Sequence, residues 1–94
     1  VEIKDNFSNK SGGGIYVGTS TKVETNNVTI SDNKSEGNGG GVFVNESSII
    51  EVKNTTIFNN TANNGGGIYG YTSSTIKVFF SSIFIPPYYN KILS

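Results

Sequence analysis

The chain has 94 residues, 34% of them hydrophobic and twelve of them glycine, and its seven lysines balance seven acids to a net charge of zero. That balance leaves no electrostatic footprint for nucleic acid or for an anionic membrane surface, and the absence of cysteine rules out disulfides and thiolate metal sites. No apolar run approaches the roughly 20 residues of a membrane helix, so direct membrane insertion of this segment is not expected. The chain opens on Val1 without a start methionine and is read as a segment of a longer parent, with neighbouring coils to be expected there.

In chain order, the first apolar stretch, Val1 to Lys4, is followed by Asp5-Asn6, a polar linker, Gly12-Gly13-Gly14 and then Ile15-Tyr16-Val17. The same text returns as Gly39-Gly40-Gly41-Val42-Phe43-Val44 and as Gly65-Gly66-Gly67-Ile68-Tyr69-Gly70, steps of 27 and then 26 residues. Ile3-x-x-Asn6, Ile30-x-x-Asn33 and Ile57-x-x-Asn60 keep the same step, which identifies a repeat array whose units contact mainly their neighbours.

Each repeat holds three short β-segments. The first strands are Thr21 to Thr25, Ser48 to Val52 and Thr75 to Phe79. The second are Val1 to Lys4, Val28 to Ser31, Thr55 to Phe58 and Ser81 to Phe84. The third are Gly14 to Val17, Gly41 to Val44 and Gly67 to Tyr71. Linkers such as Asn33-Lys34-Ser35-Glu36-Gly37-Asn38 consist of turn formers, and there is no room for helices. Equal text one coil apart predicts parallel pairing of each strand with its counterpart, about 4.7–4.9 Å per coil. The expected fold is therefore all-β: a right-handed parallel β-helix of about three coils over residues 1–85, followed by an irregular tail or cap over 86–94. A hairpin meander is the rival, but no two-residue hairpin turn joins the strands.

The stacking predicts inward columns of Val23, Ile50 and Ile76; Thr25, Val52 and Val78; Ile3, Ile30, Ile57 and Ile83; and Ile15, Val42 and Ile68. Gly12, Gly13, Gly14, Gly39, Gly40, Gly41, Gly65, Gly66 and Gly67 are corner glycines, required where backbones approach closely. A phosphate cradle would need a following helix and usually a lysine, and has neither. Asn6, Asn33 and Asn60 form a structural ladder, since an amide both donates and accepts and can continue along a stack.

The pairing of these Gly-Gly-Gly-Ile-Tyr and apolar-x-x-Asn motifs resembles the repeat of the chlamydial-type polymorphic outer-membrane proteins. That resemblance implies a secreted or surface-displayed β-helix acting as adhesin or passenger. Pro86, standing where the repeat has Asn, departs from the pattern.

Three features could carry chemistry. Asp5 and Asp32, one coil apart, suit a paired-acid glycosidase or a Ca²⁺ site, but the third copy is Asn59 and the ligand count is short, so solvated turn acids are the plainer reading. Glu24 and Glu51, followed by Lys77, read as a solvated face. With Ile15 and Val17 inward, Tyr16, Phe43 and Tyr69 project outward as an aromatic column, a candidate surface for carbohydrate or protein, which Ile49, Phe58 and Tyr71 could widen. The expected function is a non-enzymatic, extracellular or cell-surface module, structural and adhesive, with weak carbohydrate or protein partners and without metal or cofactor. The alternative is a fragment of a polysaccharide lyase or glycoside hydrolase on the same fold; a third reading, pure scaffold with no binding face, gains if the aromatic column is buried. Seven glycosylation sequons, at Asn6, Asn9, Asn27, Asn33, Asn45, Asn54 and Asn59, are compatible with secretion.

Overall fold

The structure, a computed structural model, describes residues 1–84. The tail expected over 86–94, and Ile85 before it, lie outside the described residues.

The strands are β1 (Glu2–Lys4), β2 (Phe7–Ser8), β3 (Ile15–Val17), β4 (Lys22–Asn26), β5 (Thr29–Ser31), β6 (Lys34–Ser35), β7 (Val42–Val44), β8 (Ile49–Lys53), β9 (Thr56–Phe58), β10 (Ile68–Gly70), β11 (Thr75–Phe79) and β12 (Ser82–Ile83). Every pairing is parallel and joins a strand to its counterpart one repeat away. Three principal sheets result, β1-β5-β9-β12, β3-β7-β10 and β4-β8-β11, so the chain winds as a solenoid of about three turns.

Register follows the repeat residue by residue: Ile30 pairs with Ile3 and Ile57, Ile50 with Val23 and Ile76, and Val42 with Ile15 and Ile68. The cause is the two-residue side-chain period, because a slip of one residue would turn each apolar column outward. Ile30, Ile50, Ile57, Ile68, Val42, Val44 and Val52 are fully buried. Ile3, Ile15, Val23, Ile76 and Ile83 pack against them but stay partly open, and Val78 is exposed, because these belong to the lowest and highest described coils.

Lys34-Ser35, expected to be turn text, forms a short fourth ladder with Phe7-Ser8, and single parallel bridges continue it at Lys34 with Thr61 and Asn38 with Asn64. Turn-forming residues pair here because the neighbouring coil holds an equivalent backbone at sheet spacing, whatever their propensity. The third glycine of each triplet, expected to open the third strand, precedes it instead: the strands begin at Ile15, Val42 and Ile68.

The corners explain residues that propensity alone does not. Left-handed φ recurs in columns at Ser20, Ser47 and Ser73, at Asp5, Asp32 and Asn59, at Asn27, Asn54 and Phe80, and at Gly12, Gly39 and Gly65. Asn, Asp and Gly tolerate that region best, since a Cβ there crowds the backbone carbonyl. Corner amides remain paired: Asn27 donates to Lys53 O at 3.3 Å and Asp32 to Phe58 O at 3.3 Å. Phe80, with φ of 49°, breaks its column, and nothing in its side chain relieves the strain. Phe80→Asn is expected to stabilise the fold by about 1 kcal/mol, read as a raised midpoint in urea unfolding. A lowered midpoint would contradict that.

Candidate functional site

The asparagine ladder lies at the corner that follows β1, β5 and β9. Asn6 donates to Asn33 Oδ1 from its backbone N at 3.0 Å and from Nδ2 at 2.9 Å, and Asn33 repeats both bonds to Asn60 Oδ1 at 3.0 and 2.9 Å. The second hydrogen of each buried amide reaches a strand carbonyl one coil below, Asn33 Nδ2 to Ile3 O at 3.0 Å and Asn60 Nδ2 to Ile30 O at 2.9 Å. Asn33 and Asn60 are 1% exposed. The amides are thus consumed in holding the coils together, and the Asn33 sequon is buried in the folded chain. A buried hydroxyl pair, Thr25 with Thr55 at 3.0 Å, and Ser48, whose Oγ accepts from Thr21 N at 3.2 Å, bind other corners in the same manner.

The aromatic column forms on the outer face of β3-β7-β10. Phe43 stacks on Tyr16 with centroids 5.2 Å apart and on Tyr69 at 5.6 Å, with interplanar angles of 21° and 6°, while Tyr71 tilts against Phe43 at 6.5 Å. The rings point outward but are not equally accessible: Tyr16 is 53% and Tyr71 48% exposed, whereas Phe43 is only 7% exposed. The outward column expected at Tyr16, Phe43 and Tyr69 forms, but Phe43 is covered within it, because sheet spacing presses its faces between those of its neighbours and Tyr71 lies against its flank. Phe43 is the keystone of the stack, and a partner would meet Tyr16 and Tyr71.

Two details lie beyond the sequence reading. Asn45 Nδ2 donates to the Tyr16 hydroxyl at 2.9 Å and fixes the orientation of that ring. Room at the base of the column comes from the first glycine of each triplet, since a Cβ on Gly39 would strike Phe43 Cα at 2.9 Å and one on Gly65 would strike Tyr69 Cβ at 2.7 Å. Of the residues expected to widen the column, only Tyr71 meets it with a ring; Phe58 stands on β9 in another sheet and Ile49 on β8.

The acids fall into two groups. Asp5 and Asp32 are exposed at left-handed corners where the third copy has Asn59, so backbone conformation accounts for all three. Glu51 lies one coil above Glu24, yet the two are not left as bare like charges, because Lys22 Nζ reaches Glu51 at 2.8 Å and Glu24 at 3.5 Å. The hydrogen bond from Lys22 holds the Glu51 carboxyl below the ordinary glutamate range, and the same bond raises Lys22. Among the described residues no group of three His, Cys, Asp or Glu is placed to hold a metal ion, and no helix is long and apolar enough to cross a membrane.

The sequence matches a family model described as a right handed beta helix region over residues 1–85. Neither the curated proteins nor the solved structures contain a match to the chain.

Proposed function

The chain belongs to the right-handed β-helix family, and we propose that it is a non-enzymatic module of a secreted or cell-surface protein, a stiff scaffold whose tyrosine edge meets a partner protein. The observation that carries this reading is the use of ring faces. Sugar rings are held by stacking on an open aromatic face, but in this column both faces of Phe43 and one face each of Tyr16 and Tyr69 are spent on one another at 5.2 and 5.6 Å. Edges and hydroxyls remain: Tyr16, Tyr69 and Tyr71, with Asn45 beside them. Exposed tyrosine edges combine apolar area with a hydrogen-bonding tip at low entropic cost, which suits the core of a protein interface. A carbohydrate partner is the weaker reading on these grounds.

The likeness of the repeat to chlamydial-type outer-membrane passengers supports the surface setting. Repetition of coils in a longer parent would add avidity to a strip this small. The lyase or hydrolase alternative draws little from Asp5 and Asp32, whose positions follow from corner conformation, though fold by itself does not separate the classes.

The test is binding of the labelled full chain to arrayed extracellular proteins and arrayed oligosaccharides. Binding to protein spots is expected, reduced at least roughly tenfold by the double change Tyr16→Ser and Tyr71→Ser with the melting temperature held. Phe43→Ser should instead cost about 3–5 kcal/mol of stability. Retention of oligosaccharides alone, or protein binding indifferent to both tyrosines, would contradict the proposal, and turnover of a polyuronate would replace it with the enzyme reading.

A further inference from the structure

Away from the aromatic column, the outer face of β4-β8-β11 carries Lys22, Glu24 and Asn26, then Ile49, Glu51 and Lys53, then Thr75, Lys77 and Phe79, three lysines against two glutamates. At the corner after this sheet the third copy departs from the first two. The column of Asn26 and Lys53 continues as Phe79, and the left-handed column of Asn27 and Asn54 continues as Phe80, which is 91% exposed. Two aromatic rings thus replace two polar residues in one coil, one of them at a backbone conformation that disfavours it.

These rings, with Glu51, Lys53 and Asn54, border a cleft of about 360 Å³. That volume lies within the range of small-molecule sites, roughly 300–1,000 Å³. Lys53 Nζ stands 6.0 Å from the Phe79 ring centroid, over an apolar wall that lowers the local dielectric. Glu51, which shares the cleft, is held by Lys22 at 2.8 Å, and Lys53 adds a weaker pull on the same carboxylate; among the described residues Lys53 has no carboxylate within ion-pair distance. One hydrogen of Asn54 Nδ2 goes to Asn26 Oδ1 at 3.1 Å, which leaves the other for a ligand.

We infer that this cleft binds a small aryl carboxylate, its ring laid against Phe79 and Phe80 and its charge held by the Lys53 ammonium with Asn54 as a second donor. Charge complementarity selects the anion, and the two rings select the apolar body. The site is independent of the tyrosine edge, because it lies on a different sheet.

The experiment is a titration of the ¹⁵N-labelled full chain with naphthalene-2-carboxylate, followed by amide chemical shifts, with naphthalene-2-methanol as the neutral counterpart. Saturating changes confined to Glu51 to Asn54 and Phe79 to Ser81 are expected, with a Kd on the order of 0.1–1 mM for a ligand of this size. Phe80→Asn should weaken binding at least about tenfold while raising the melting temperature. Lys53→Gln should weaken the carboxylate roughly fivefold and leave the alcohol unchanged, which keeps the test open should the first variant misbehave. Equal binding of acid and alcohol, undiminished binding by Phe80→Asn, or shifts centred on Tyr16 and Tyr71 would each overturn the assignment.

Discussion

Replacing Asn33 with alanine is expected to cost about 4 kcal/mol, a large part of the roughly 5–15 kcal/mol that holds a domain of this size together. The side chain makes four bonds in a site that is 1% exposed: two accepted from Asn6 and two donated, to Asn60 Oδ1 and Ile3 O. Removing it leaves the Asn6 backbone N and the Ile3 carbonyl without these partners, and Asn60 Oδ1 keeps only the bond from the Asn33 backbone N. Each buried orphan costs about 1–3 kcal/mol, well above the net value of a bond between well-solvated groups. Asn9→Ala is the control, since Asn9 is exposed and its side chain makes none of these bonds, and it should stay within about 0.5 kcal/mol. Thermal unfolding separates the two, because a loss of about 4 kcal/mol lowers the midpoint on the order of 20 °C in a domain of this size. A fall of only a few degrees for Asn33→Ala would mean that the ladder is ornamental.

The second large effect is expected at the corner. A Cβ built on Gly40 would lie 2.5 Å from both Thr61 O and Gly66 O, two backbone atoms that belong to the coil above and cannot move separately. Gly40→Val must therefore part the coils, at about 3 kcal/mol or more, and far-ultraviolet circular dichroism should register loss of fold at ordinary temperature. Gly18, in contrast, has only Thr21 Oγ1 near its missing Cβ, at 3.7 Å. Gly18→Val is expected to change stability by less than about 0.5 kcal/mol. Comparable losses from the two substitutions would remove the steric argument for the triplet glycines.

The architecture was legible because the repeat writes the same chemical instruction one coil apart. Ile3, Ile30, Ile57 and Ile83 must share a column once Gly12, Gly39 and Gly65 do, and the parallel sheet follows from that register alone. What could not be read is of two kinds. The pairing of Lys34-Ser35 with Phe7-Ser8 has no apolar alternation to announce it, since it arises when a neighbouring coil offers a backbone at sheet spacing. The burial of Phe43 escaped for a related reason: alternation says which way a side chain points, but the closeness of its stacked neighbours decides how much of it water reaches. The Phe79 and Phe80 cleft did carry a signal. Reading Asn27, Asn54 and Phe80 as one column shows an aromatic where a left-handed corner wants Asn, a departure that only a column-by-column comparison exposes.

The central claim is that each coil contacts its equivalents and that the Asn6, Asn33 and Asn60 amides tie them together. The most direct measurement is a set of NMR contacts and side-chain amide exchange rates on the folded chain. The account predicts contacts from Ile30 to both Ile3 and Ile57, with the Nδ2 protons of Asn33 and Asn60 exchanging far more slowly than those of exposed Asn9, Asn27 and Asn59. Strong contacts between the Cα protons of consecutive strands, the mark of antiparallel hairpins, together with rapid exchange at Asn33, would contradict it.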